Sequence, residues 1–310
     1  MSTNHISYSS IGELHTSLVR REFTPRELYD YIREAQQQLH GSEVEYHNLS
    51  VEFSHQDCTP FAADVAALGA QVYPMSTDLL ADIIKYSQQS GNTERCKQGI
   101  SLLKKIDRKY WTWRTFVFVI DFLKDSLSSL GSVQEYENNL NEAKAFIDDF
   151  KKFIPHEERA YVAEAEMYLS QNNYDQAISA LTGGATNIPV APQCCMKLAD
   201  LYLEKGEYEK VEEYARKGIL ASTQDQPTVS IGYLYYLLAL SLDAQRMVNR
   251  IDGKAFDRTM IKTIVTAYQT ADQLFLNEGR STVAYRSTIK AKLIIIAMEE
   301  GLTMEADPSE

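Results

Sequence analysis

Glycine and proline are scarce in this chain, at 14 and 8 among 310 residues. That excludes a collagen-like or linker-dominated chain, and 44% apolar residues exclude a disordered one. Cysteine is rarer still. Cys58, Cys96, Cys194 and Cys195 make no disulfide framework and contain no CxxC pair, so reduced, mostly buried thiols are expected. Long hydrophobic runs are missing as well. Residues 116–120 and 293–298 are the greasiest stretches, far short of the roughly 20 residues that a membrane span needs. The first ten residues are polar, without the apolar core of a secretory signal. Together these point to a cytoplasmic protein. Positive charge is also in deficit, with 31 Lys+Arg against 43 Asp+Glu, a poor match to the basic patch of a nucleic-acid binder. Gly183-Gly184 is the single Gly pair, and no P-loop, GxGxxG, HExxH or GxSxG pattern occurs.

What the chain does have is tyrosine, 19 against 11 Phe and 2 Trp, which suits many half-buried positions with a wet hydroxyl. Its charge of -12 is uneven. Residues 1–75 carry 4 basic and 10 acidic side chains, 76–157 carry 12 and 12, 158–225 carry 6 and 11, and 226–310 carry 9 and 10. Five of the six His lie at or before His55. A boundary is therefore expected near residue 75, just after Pro74.

From residue 76 onward, apolar residues recur at helical spacing. Leu79, Leu80, Ile83, Ile84 and Tyr86 form one stripe, ended by Ser90-Gly91-Asn92, and Cys96, Ile100, Leu103 and Ile106 form the next. An aromatic-rich helix follows, then a turn at 126–132 and a longer helix over 136–153 closed by Pro155. The clearest pattern comes after that. Tyr161-x2-Glu164-Ala165-x2-Tyr168 leads through Asn172-Asn173-Tyr174 to Ala177-x3-Leu181 and Pro189. Thirty-four residues after Tyr161, Cys195-x2-Leu198-Ala199-x2-Tyr202 leads through Gly206-Glu207-Tyr208 to Val211 and Ala215.

These two units resemble the tetratricopeptide (TPR) repeat, whose signature is W-x2-L-G-x2-Y, then A-x3-F, then P, on a 34-residue period. Leu79-x2-Asp82-Ile83-x2-Tyr86 and Ala271-x3-Phe275 repeat parts of it. The expected fold is all-α: a right-handed superhelical solenoid of antiparallel helix pairs, TPR-like, with about five hairpins over 76–300. Residues 1–75 would be a mainly helical capping region, 243–254 an insertion, 284–298 a final capping helix, and 301–310 a disordered tail.

In the N-terminal quarter, Thr24-Pro25-Arg26-Glu27 reads as a capping box with Pro at the first helical position, and Thr59-Pro60 as a second helix start with Thr59 as N-cap. Residues 50–53 could form a brief strand. His47, His55, Asp57, Cys58 and Asp64 are of zinc-ligating type, but their spacing matches no metal signature, and a helix start explains them better. No metal, no cofactor and no catalytic residue is expected. The glutamates Glu207, Glu209, Glu212 and Glu213 fit a solvated outer face.

The resemblance implies a protein- or peptide-binding scaffold or adaptor using the concave face lined by the first helix of each pair. Its candidates are Asp82 and Lys85, Arg114 and Asp121, Arg159 and Glu166, and Lys197 and Asp200. A chaperone-tail partner is disfavoured, because Val162 and Glu166, and Met196 and Asp200, stand where a Lys and an Asn would hold a terminal carboxylate. Trp111 and Trp113 sit in an aromatic cluster that reads as core, with an interface role as the alternative. Two other functions stay open: a regulator sensing a peptide or small ligand, and an enzyme with its site in the N-terminal quarter.

Overall fold

A short turn, used again and again, makes this chain fold back on itself. The computed structural model describes residues 8–127, 132–222, 229–253, 258–279 and 282–300. In it, α1 (Ile11–Val19) is followed by α2 (Pro25–Ala35), α3 (Glu43–His55) by α4 (Thr59–Val72), and α5 (Thr77–Gln89) by α6 (Thr93–Leu103). Further on, α9 (Arg159–Ser170) is followed by α10 (Tyr174–Asn187), and α11 (Pro192–Lys205) by α12 (Tyr208–Ser222). Just beyond the end of each of these five first helices stands a single left-handed residue: Arg21, Asp57, Gly91, Asn172 and Gly206, with φ of 56°, 58°, 74°, 56° and 72°. The next N–H then reaches back five residues. Glu22 donates to Ser17 at 3.1 Å, Cys58 to Phe53 at 2.9 Å, Asn92 to Ser87 at 2.8 Å, Asn173 to Tyr168 at 2.9 Å and Glu207 to Tyr202 at 3.0 Å. This is Schellman closure, which satisfies carbonyls that the helix end leaves open.

In the later turns the same residue also starts the second helix. The Asn92 and Asn173 side chains accept from the N–H groups of Arg95 and Gln176 as N-caps. The expected capping box at Thr24 and Glu27 is present, with Pro25 in the first turn. At the second expected start the N-cap is Cys58, one residue before Thr59, and it makes no side-chain cap hydrogen bond. Residues 50–53 are helical. Ser42 and Glu45 form a capping box that starts α3, and Tyr46, Leu49 and Phe53 recur at helical spacing and are buried.

Two longer pairs complete the architecture: α7 (Trp113–Ser126) with α8 (Val133–Phe153), and α13 (Ile231–Ile251) with α14 (Arg258–Glu278). α15 (Val283–Glu300) follows as the expected final helix. The supposed insertion from 243 is mostly helix, because α13 continues to Ile251. Residues 128–131 of the expected turn, residue 254 of that insertion and the expected disordered tail at 301–310 lie outside the described residues. Among the described residues there is no strand, only an isolated bridge between Ser10 and His40.

The chain divides into two compact units, Met1–Ala163 and Glu164–Glu310. In the first, α3, α5 and α7 pack side by side as the first helices of consecutive pairs, while α4 packs on α5 across residue 75. One apolar core runs through α1 to α5, from Leu14, Leu18 and Leu28 to Phe53, Val65 and Leu79. Further along, Phe116 stacks on Phe150 at 4.9 Å and Trp111 on Phe146 at 5.3 Å, both between α7 or its approach and α8. Each buried ring contributes about 1.5–3 kcal/mol by leaving water.

In the second unit, α11 packs on α12, α12 on α13, α13 on α14 and α14 on α15. The small residues of the repeat do what their size permits. Ala165, Ala177, Ala199 and Ala215 are fully buried. A Cβ on Gly218 would lie 2.9 Å from Leu234 Cδ2, so glycine is what lets α12 approach α13. α15 is held by ions: the Arg246 guanidinium, 2% exposed, binds Asp243 at 2.9 Å, Glu299 at 2.7 Å and Glu300 at 2.9 Å. The result in each unit is an all-α stack of helix pairs.

Candidate functional site

Side chains on the first helices reach from one pair to the next. In the first unit the hub is Asp82 on α5, whose side chain is fully buried. Its Oδ2 meets His47 Nδ1 of α3 at 2.5 Å, and its Oδ1 accepts from the Arg114 guanidinium of α7 at 2.6 Å. Arg114 also lies 3.7 Å from Asp78 and 5.8 Å above the Phe118 ring. Thus three of the residues read from sequence as a candidate site or metal group form one cross-hairpin ion network.

Lys85, one turn after Asp82, is different. Its ammonium stands over the rings of Tyr86 at 4.9 Å and Phe118 at 5.8 Å, and no carboxylate pairs with it among the described residues. Burial pulls its pKa below the ordinary lysine value, and the nearby Asp82 charge offsets this only in part. Asp121 pairs with Lys124 at 3.1 Å on its own helix. Arg159 binds Glu157 at 2.9 Å and stacks over Trp113, 3.9 Å from the ring centroid. Trp113 is 36% exposed. Trp111 is 3% exposed, and its indole N–H donates to the Ile106 carbonyl at 3.3 Å. It is a core side chain here, out of reach of any partner.

In the second unit, Glu166 of α9 binds Lys197 of α11 at 2.7 Å. Asp200, one turn after Lys197, accepts from the Tyr233 hydroxyl of α13 at 2.8 Å. It has no ion-pair partner among the described residues, and burial raises its pKa above the usual carboxylate value. Beyond Tyr233 lies a tyrosine cluster that sequence reasoning did not single out. Tyr233, Tyr236 and Tyr285 have centroids 5.4–6.2 Å apart, and the Tyr285 ring stands at 64° to both of the others. Its signal in the sequence was the tyrosine surplus and the closeness of Tyr233, Tyr235 and Tyr236, which core packing explained equally well. Lys85, Glu166 and Asp200 share a register: each stands six residues before the left-handed residue of its turn.

The remaining N-terminal candidates do not converge. Asp57 is the left-handed residue of the α3–α4 turn, and His55 is largely exposed, 3.9 Å from Glu52. Asp64 accepts from Arg95 and from the Tyr29 hydroxyl, whose pKa is pushed up to about 12, mainly by burial and then by Asp64. Burial likewise raises the Cys58 thiol, and holds Cys96 up at about 11, the opposite of an activated nucleophile. Among the described residues no three His, Cys, Asp or Glu side chains are placed to hold a metal ion, and no helix is long and apolar enough to cross a membrane.

Neither a protein-family model nor a curated protein matches the chain by sequence. Solved structures with a similar arrangement include a thermophilic TPR protein of Thermus thermophilus, 14% identical, with a TM-score of 0.48 over 66% of this chain and 99% of that one. A tetratricopeptide repeat protein of Parabacteroides merdae is 15% identical, with a TM-score of 0.47 over 93% of this chain and 100% of that one. PilF of Pseudomonas aeruginosa is 14% identical, at 0.48 over 81% and 97%. The grounds for the fold lie in this chain's own helix pairs, their shared turn and the 34-residue spacing of 161–215. On those grounds the protein has a tetratricopeptide-like helical-repeat fold.

Proposed function

We propose that the protein is a binding scaffold that holds a partner protein or peptide along the faces of its first helices. One observation carries the reading: the side chains there are already ordered from pair to pair. His47, Asp82 and Arg114 are linked across α3, α5 and α7, Glu166 with Lys197 across α9 and α11, and Asp200 with Tyr233 across α11 and α13. Within each unit, a set of pre-positioned polar and aromatic groups is what a bound segment needs, because ordering them at the moment of binding would cost affinity. The residues proposed to line these faces are Lys85, Phe118, Asp121 and Arg159 in the first unit, where exposed Trp113 beside Arg159 would be an anchor, and Glu166, Lys197 and Asp200 in the second.

The test is site-specific photo-crosslinking with the full chain in its native cell. A photoreactive phenylalanine analogue at Phe118, on the first-helix face, should capture a discrete partner. The same analogue at Asn138, exposed on α8, should not. Equal capture at both positions, or at neither, would defeat the reading.

A further inference from the structure

We propose that Asp200 and the rings of Tyr233, Tyr236 and Tyr285 form a subsite for a basic side chain, an arginine or lysine of a bound peptide. This rests on the scaffold reading and gives one stretch of its surface a chemical preference. Asp200 is a half-buried carboxylate that receives a single hydrogen bond, from a neutral hydroxyl. A carboxylate can take about four donors, and in a partly dry place those left open favour a charged donor over water. The cation already nearby, Lys197, is engaged by Glu166 at 2.7 Å. No other cation pairs with Asp200 among the described residues.

The rings supply the second half of the recognition. Tyr233 and Tyr236 are partly exposed and Tyr285 is 40% exposed, so part of each ring reaches solvent, while Phe275 stacks on one face of Tyr285 at 5.3 Å. Tyr285 stands at 64° to both neighbours, so the rings meet at a corner that reaches the carboxylate through the Tyr233 hydroxyl. A cation over such a face gains about 0.5–1 kcal/mol when exposed and about 2 when desolvated. Guanidinium fits better than ammonium, since its plane stacks on a ring while its edge donates two parallel hydrogen bonds to a carboxylate.

Charge continues the same preference along α11. Glu204, one turn beyond Asp200, is exposed and borders a cavity of about 690 Å³ together with Asn173, Tyr174 and Lys205. Residues 158–225 carry 11 acidic side chains against 6 basic ones. Several of those carboxylates are already paired, Glu166 with Lys197 and Asp175 with Lys205 among them. A basic segment lying from the tyrosine corner toward that cavity would meet Asp200 and Glu204, which have no ion pair among the described residues.

The test uses the full chain and a fluorescein-labelled peptide of alternating arginine and alanine, with its citrulline counterpart as the neutral isostere, read by fluorescence anisotropy. The arginine peptide should bind saturably, and the citrulline peptide about tenfold more weakly, the size of one lost charged hydrogen bond. Asp200→Asn should weaken the arginine peptide by a similar factor. Tyr236→Leu should weaken it about threefold while Tyr236→Phe, which keeps the ring, does not. Glu209→Gln, an equal change of charge on exposed α12, should leave affinity within twofold. Circular dichroism melts show that each variant is folded. Equal binding of the two peptides, equal losses in Asp200→Asn and Glu209→Gln, or no saturable binding would each overturn the subsite. If the partner captured at Phe118 binds wild type and Asp200→Asn alike, the subsite falls while the scaffold reading stands. If Phe118 captures nothing but the peptide pattern holds, the reverse is true.

Discussion

Asp82 in the first unit and Asp200 in the second are both carboxylates on a first helix, and both reach the first helix of the next pair. Asp82 is fully buried and meets two basic groups, His47 and Arg114. Asp200 is half-buried and meets one phenol. A buried charge with its partners in place holds its neighbours together, and removing one partner exposes the full desolvation cost of the other. A buried charge with too few partners keeps part of that cost in the folded state, where a ligand can relieve it. Asp82 therefore fastens helix pairs, whereas Asp200, in the subsite proposed above, would stay receptive.

The most severe way to break this comparison is Asp82→Ala. It strands Arg114 and His47 and should destabilise the first unit by about 3 kcal/mol, the low end for breaking a buried pair because Arg114 keeps some solvent. Urea unfolding followed by circular dichroism measures it, and a loss below about 1 kcal/mol would mean Asp82 is not a fastener. His47→Ala should cost less, about 1 kcal/mol in the same assay, since Arg114 still holds the carboxylate.

Asp200→Asn should act with the opposite sign. Its raised folded pKa means that the ionised form is disfavoured by folding, so this group's stabilising contribution is full below the unfolded value of 3.8 and is lost as pH rises through the folded value. The amide should thus raise the melting temperature at pH 7, and its advantage should vanish as pH falls through the carboxylate range. A variant less stable than wild type at neutral pH would place Asp200 with Asp82. Lys197→Met marks the lower limit. Its pair with Glu166 is about 30% exposed on each side, so the change should be at most about 0.5 kcal/mol, and less in high salt.

Legibility in the sequence followed turn chemistry. The hairpins at Asn172 and Gly206 were readable because Asn and Gly are the residues that tolerate left-handed backbone, and because Tyr and small residues recur around them. The N-terminal pairs were not, since Arg21 and Asp57 occupy the same left-handed geometry without advertising it. Asp57 and Cys58 read as possible ligands for that reason, and 50–53 as a strand because a Val between Ser and Phe suits either structure. Asp200 was readable as a polar residue on a first helix. Its aromatic neighbours were not, because periodicity cannot distinguish a tyrosine packed with its hydroxyl in water from one offering its ring to a ligand. The ion network at Asp82 was equally hidden, as pairing across helices separated by more than thirty residues leaves no local trace.

The recurring turn has a consequence for how such a chain can change length. Asn172 and Gly206 stand in identical turns 34 residues apart, each followed at once by a residue that opens the second helix. Excising residues 172–205 would run α9 straight into Gly206 and Glu207, with the same left-handed step and the same backward hydrogen bond. The helices after the junction would keep their register. A single residue added in that turn would instead separate the left-handed step from the N-cap that follows it and break the backward hydrogen bond. The turn thus lets a whole hairpin be added or removed with its junctions intact, while the longer helices α8, α13 and α14 show that helix length can vary between turns.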